Sequence, residues 1–281
     1  MKLTVQHKAV YAYTGGQPLA PQRPCVVFVH GALNDHSVWG LQSRYLANHG
    51  HSVLAVDLPG HGRSEGPALP SVEAIAQWLV DLLDAAGVER AALVGHSMGS
   101  LIGLEAAALL GERASHLAMV CTAFPMKVSQ ALLDTALTDA NRAIDMVNAF
   151  SISTLAAKPS SPGPGFWLHG GGQALMRRLQ AIYADAGHGN LFHHDFGVCD
   201  SYEGVARAAT QLRCPVEVII GSLDQMTAPK SARALAQQLG AAVVELPAGH
   251  SLLQEAPDAL LNALKRFLAV PAPAVQASSK S

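Results

Sequence analysis

Short, nearly unbroken apolar runs recur along the chain at Cys25 to Val29, Val53 to Val56, Ala91 to Val94, His116 to Cys121, Val216 to Ile220 and Val243 to Leu246. Runs this brief, without polar alternation, predict strands buried on both faces, as in a parallel sheet. Helix-type stretches lie between them. Ser100 to Leu110 is rich in Leu and Ala, with Gly111 as a stop, and Asp258 to Leu268 is amphipathic behind Pro257. Met1 to Lys8 alternates like a first strand. Strands alternating with helices predict an α/β fold with a mostly parallel central sheet flanked by helices.

The alternation stops between His116–Cys121 and Val216–Ile220, an interval too long for a bare loop in a compact domain. It is expected to form a mainly helical cap over 124–212, inserted between core segments 1–123 and 213–270. Leu132 to Phe150 and Gln173 to Ala184 have helical periodicity, and the Pro- and Gly-rich stretch Lys158 to Gly165 reads as a mobile break between them. His169-Gly170-Gly171-Gly172 reads as a flexible loop. The Pro-, Ala-, Ser- and Lys-rich end, 271–281, is expected to be a disordered tail.

Ala91 to Val94 runs into Gly95-His96-Ser97-Met98-Gly99, and a helix follows. GxSxG between a strand and a helix lifts a serine hydroxyl clear of the sheet on a sharp turn whose glycines avoid clashes. A serine nucleophile needs a base, and the base needs an acid to orient it. Of 13 histidines, His250 alone follows a predicted strand in a Gly-His loop; His7, His49, His51, His116 and His188 fall in connecting or surface segments. Asp224 lies in the loop after Val216 to Ile220, with Asp195 and Asp200 as upstream alternatives. His96 and His30 read as packing and bracing residues of their loops.

The order Ser97, Asp224, His250, with His30-Gly31-Ala32, Trp39, Asp57-Leu58-Pro59-Gly60-His61-Gly62-Arg63-Ser64 and Gly249-His250, resembles the α/β-hydrolase superfamily over nearly the whole chain. The resemblance implies Ser97 as nucleophile, His250 as base then acid, Asp224 as its orienting carboxylate, and the N–H groups of Ala32 and Met98 as the oxyanion hole. It implies an ester or thioester hydrolase working through an acyl-enzyme on a small to medium, mostly apolar molecule, with no cofactor. A cap in this position shapes the pocket, for which Leu33, Phe150, Trp167 and Phe192 are candidate walls, with Phe166, Leu168, Phe196 and Trp39 beside them. Dehalogenases and epoxide hydrolases of the superfamily use an Asp where this chain has Ser97. A carbon–carbon hydrolase acting on a diketone-type ring-cleavage product is the alternative. A triad-retaining binding protein with little turnover is a third reading from another class.

Composition adds boundaries. Hydrophobic residues make up 49% of the 281 and aromatic residues 5%, which points to a core of Ala, Leu and Val. A net charge of −2 gives no electrostatic reason to expect nucleic acid or an anionic membrane as partner. No run of about 18 apolar residues and no signal-type leader is present, so a cytoplasmic protein is expected. Cys25, Cys121, Cys199 and Cys214, unpaired in spacing and near strand ends, read as reduced thiols. His193-His194-Asp195 has none of the spacings of a zinc site, and no metal is expected. Oligomeric state is left open.

Overall fold

The computed structural model describes residues 1–20, 22–153 and 164–271, and for 164–169 the backbone alone. Eight strands form one sheet: β1 (Lys2–Val5), β2 (Lys8–Tyr13), β3 (Cys25–Val29), β4 (Ser52–Val56), β5 (Ala91–His96), β6 (Ala114–Val120), β7 (Val216–Gly221) and β8 (Ala242–Leu246). Their order is β1-β2-β4-β3-β5-β6-β7-β8, antiparallel through β1, β2 and β4 and parallel from β4 onward. The predicted single first strand is two. Gln6 and His7 both take positive φ (48° and 63°), the signature of a two-residue hairpin turn, so Lys8 already belongs to β2.

Alternate residues of the buried strands feed two cores. Val27, Val29, Leu93, Leu117, Met119, Val218 and Ile220 face one side, packed with helices α2 (Val72–Ala85), α3 (Met98–Leu110), α8 (Val205–Gln211) and α9 (Pro229–Leu239). Val26, Phe28, Ala92, Val94, Ala118, Val120 and Ile219 face the other, packed with α1 (Gly40–Asn48), α10 (Leu252–Glu255) and α11 (Pro257–Leu268). This two-sided burial explains the continuous apolar runs.

The insertion between β6 and β7 also carries α4 (Gln130–Thr138), α5 (Ala140–Ser151), α6 (Pro164–Asp185) and α7 (Leu191–Ser201). The single helix expected over Leu132 to Phe150 is broken at Asp139, whose non-helical backbone and side-chain bond to the Arg142 N–H start α5. The triple glycine expected in a loop is helical, inside α6. Gly172 lies where α6 meets α5: a Cβ there would come within 2.9 Å of Asn148 Oδ1. Most of the expected mobile stretch Lys158 to Gly165, and the tail beyond Pro271, lie outside the described residues. His116, expected near the surface, is buried in β6 with its Nε2 on the Val270 carbonyl (2.9 Å). The four cysteines are free; Cys199 sits within α7 rather than at a strand end. No helix among the described residues is long and apolar enough to cross a membrane.

Candidate active site

The C-terminal ends of the parallel strands gather on one side of the sheet, and the connections from β3 depart in opposite directions to those of β5 at the centre. A crevice opens at such a reversal. Four loops converge there: 30–35 after β3, Ser97 after β5, 222–227 after β7 and 247–251 after β8.

Ser97 lies between β5 and α3, as the N-cap of α3, at φ 52°, ψ −122°, a conformation that residues with a Cβ rarely adopt. Its flanking glycines are required by contact: a Cβ on Gly95 would lie 2.1 Å from the Gly99 carbonyl oxygen, and one on Gly99 would lie 2.4 Å from that of Val29. Ser97 Oγ is 3.0 Å from His250 Nε2, and His250 Nδ1 is 2.9 Å from Asp224 Oδ2. The Asp224 carboxylate accepts three further hydrogen bonds from its own loop: its Oδ1 takes the N–H groups of Met226 (2.8 Å) and Thr227 (2.9 Å), and its Oδ2 takes the Thr227 hydroxyl (2.6 Å). Burial disfavours its charge, but attraction to His250 and the bonds from His250 and Thr227 outweigh that and bring it from 3.8 to about 2. Asp224 is therefore ionised and fixed. The signal for Thr227 is the Asp-x-x-Thr spacing, in which a carboxylate closes a turn on the N–H three residues on.

The surrounding histidines brace these loops. His96 is buried, its Nε2–H donating to the His250 carbonyl at 2.9 Å; burial and the neighbouring His250 lower it to about 3, so it is neutral. His30 donates from Nδ1 to the Gly31 carbonyl (2.8 Å) and accepts the Leu58 N–H at Nε2 (3.2 Å), and burial and His61 lower it to about 4. The Cys121 thiol, pushed well above its ordinary value by burial and by Asp224, is no competing nucleophile. His96, Cys121 and His250 bring possible metal-ligand atoms within 4.8 Å of one another, as do Asp35, His36 and Asp57. In the first set His250 already uses both ring nitrogens; in the second, Asp57 already receives the His36 ring and the backbone N–H groups of His36 and Arg63.

The backbone N–H groups of Ala32 and Met98 donate to no other group among the described residues. Met98 is the first residue of α3, where a helix leaves its N–H groups unpaired and favours an anion. The next residue of the first loop, Leu33, holds φ 53° and donates its N–H to Asp195 Oδ2 at 2.9 Å.

A cavity of about 60 Å³ lies before Ser97, lined from the core by Ala32, Asn34 and His250 and from the insertion by Asn148, Met176 and Phe196, among others. Larger clefts lie at the other end of the strands, around Arg90 and Arg113, away from the serine. Of the expected walls, Phe196 reaches the cavity. Leu33 is fully buried, Phe192 is buried and stacked on Phe196 (4.3 Å between centroids), and Trp39 packs on Phe28 (4.9 Å between centroids) in the core shared with α1 and α11. Phe150 is 55% exposed on the outer side of α5 and is not a wall. The side chains of Phe166, Trp167 and Leu168 lie outside the described residues. Asn34, Asn148, Ser151, Ser251 and Gln254 make the lining more polar than the apolar pocket expected from sequence, because apolar positions of the cap helices are spent on the core beneath it.

The sequence pattern described as the alpha/beta hydrolase fold matches residues 24–257, which include all four loops. The chain belongs to the α/β-hydrolase family. The esterase YbfF of Escherichia coli is 35% identical over 95 residues, 34% of this chain and 37% of that protein. An uncharacterized protein of Mycobacterium tuberculosis is 33% identical over 103 residues, so the match spans only about a third of the length of these curated relatives. Among solved structures, the enol-lactonase of Burkholderia xenovorans superposes with a TM-score of 0.76 at 23% identity, covering 95% of this chain and 99% of that one. An N-acyl homoserine lactone degrading enzyme gives 0.75 at 19%, covering 95% and 100%. These two share the fold of this chain.

Proposed function

We propose that this α/β-hydrolase cleaves carboxylic esters, including thioesters and lactones, through an acyl-enzyme on Ser97. One observation carries the reading: the continuous chain from Ser97 Oγ to His250 Nε2 (3.0 Å) and from His250 Nδ1 to Asp224 (2.9 Å). His250 takes the Ser97 proton as the oxygen attacks the carbonyl carbon, and Asp224 stabilises the resulting imidazolium. The oxyanion is received by the N–H groups of Ala32 and Met98. His250 then returns the proton to the leaving alcohol, and water, activated by the same His250, releases the acid. Loss of one oxyanion donor typically costs about 10²- to 10³-fold in turnover.

The likeness to an esterase and to lactone-acting proteins supports this bond class, and the polar side chains around the cavity suit a small acyl group bearing hydrogen-bonding atoms better than a long alkyl chain. The test is a panel of short and long p-nitrophenyl esters, thioesters and lactones, together with a fluorophosphonate probe. Labelling of Ser97 and preference for short or polar esters are expected. Full activity without labelling, or activity on vinylogous diketones alone, would reject ester chemistry.

A further inference from the structure

The candidate oxyanion loop is held from the insertion by a buried carboxylate that the triad does not use. Asp195, on α7, is 1% exposed, and its Oδ2 receives the Leu33 N–H and His61 Nε2, each at 2.9 Å. His194 Nδ1 reaches its Oδ1 at 3.2 Å. The other nitrogen of His61, Nδ1, faces the Pro59 carbonyl at 3.1 Å. A carbonyl and a carboxylate can only accept, so satisfying both ring nitrogens requires doubly protonated His61, a buried cation beside a buried anion. The groups facing this pair are His194 and Cys199 on α7, His30 after β3 and Asp57 after β4. Burial opposes the charge on His61, but Asp195 outweighs it and raises its pKa, while His61 helps hold Asp195 well below the carboxylate range.

Leu33 is one residue beyond Ala32. Its positive φ is a costly conformation for a branched side chain, and the bond to Asp195 is what its N–H gains there. The direction of the Ala32 N–H is thereby tied to a residue of the insertion. A second tie from the same side joins Arg178 of α6 to Asp35 at 2.6 Å.

We propose that Asp195 is a positioning residue: by receiving the Leu33 N–H, with His61 as counter-charge, it sets the Ala32 N–H at the oxyanion site and couples docking of the insertion to catalysis. This rests on the Ser97 reading. Its distinguishing consequence is a loss in the transition state without a matching loss in ground-state binding.

Wild type, Asp195→Ala and Asp195→Asn are compared for kcat and KM on p-nitrophenyl acetate, for affinity toward a trifluoromethyl ketone that adds to Ser97, and for competitive inhibition by acetate. Asp195→Ala is expected to lower kcat and ketone affinity together by about 10- to 100-fold, the scale of a 1 Å misplacement, with KM and acetate inhibition little changed. Asp195→Asn keeps an acceptor for the Leu33 N–H and is expected to recover most of the loss. If Asp195→Ala does not fold, the double variant Asp195→Leu/His61→Phe, which replaces the ion pair by apolar groups of similar size, is judged by the same criteria. A folded variant with kcat and ketone affinity within about twofold of wild type, or one losing acetate and ketone binding equally, overturns the proposal. Fluorophosphonate labelling of wild type separates the two claims: a labelled wild type with an unimpaired variant rejects Asp195 alone, and an unlabelled wild type rejects the Ser97 reading and this proposal with it.

Discussion

At Ser97 the proposed chemistry and a strained backbone share one residue. Its φ of 52° costs about 1–3 kcal/mol for a residue with a Cβ, and the neighbouring contacts of Gly95 and Gly99 leave the turn no room to relax. Two substitutions separate the contributions. Ser97→Ala keeps the strain and loses the oxygen, so turnover is expected to fall by at least about 10³-fold with the melting temperature nearly unchanged. Ser97→Gly loses both, so it is expected to be equally inactive and to unfold at a higher temperature than Ser97→Ala, checked by thermal denaturation of the pair. Asp224→Asn removes the charge that stabilises the imidazolium and lets His250 take the wrong tautomer; a loss of about 10³- to 10⁴-fold in kcat is expected in steady-state assays. The positions of Ser97, Asp224 and His250 were legible from sequence because each follows its own strand within a few residues, a local pattern. Asp195 and His61 were not legible as a pair, since 134 residues separate them and only the folded insertion brings them to 2.9 Å.

Among the elements, α6 departs furthest from its sequence propensity. Three successive glycines in a helix oppose its formation, yet Gly170, Gly171 and Gly172 are all helical there. Their surroundings differ. A Cβ on Gly170 or Gly171 would meet nothing within 4 Å, whereas one on Gly172 would press on Asn148 of α5 at the rim of the cavity. Gly170→Ala and Gly171→Ala are therefore expected to raise stability by about 0.5–1 kcal/mol each, without change in activity. Gly172→Ala makes the same helix gain but must push the Asn148 side-chain amide aside, so it is expected to be less stabilising than the other two and to lower kcat/KM, since it moves a wall of the site. Urea denaturation and ester hydrolysis on the three variants check both statements. The sequence shows glycines and so suggests a loop; the close approach of α5 that rewards one of them is a tertiary contact. The break between α4 and α5 is instead written locally, in Asp139 as an N-cap, and the long periodic stretch across it concealed it.

Across the molecule, the sheet places the residues of the candidate site at the C-terminal ends of β3, β5, β7 and β8, while the insertion between β6 and β7 supplies Asp195, Arg178 and part of the cavity wall. The sheet was readable from the apolar runs because burial on both faces leaves no polar alternation to confuse them. The pocket was not, because an aromatic residue in a cap helix packs inward as readily as it faces a ligand: Phe192 is core and Phe150 is surface. Two buried charges, Asp224 between the core loops and His61 where the insertion meets the core, also set a pH response. Asp224 titrates at about 2 in place of 3.8, so its contribution to stability is present above 3.8 and is lost as pH falls through about 2. His61 is raised above 6.5, so its contribution is complete below 6.5 and is lost as pH rises through the raised value. Urea midpoints measured against pH are expected to form a plateau between these limits, and His61→Phe paired with Asp195→Leu is expected to remove the alkaline decline. The most direct test of the whole account is acid-quenched mass spectrometry of the protein mixed with p-nitrophenyl acetate, alongside a stopped-flow record of p-nitrophenol release. A burst approaching one equivalent, with an acetyl group on the peptide bearing Ser97 and none in Ser97→Ala, is the predicted result; steady turnover in Ser97→Ala, with no acetylated Ser97 in wild type, would contradict it.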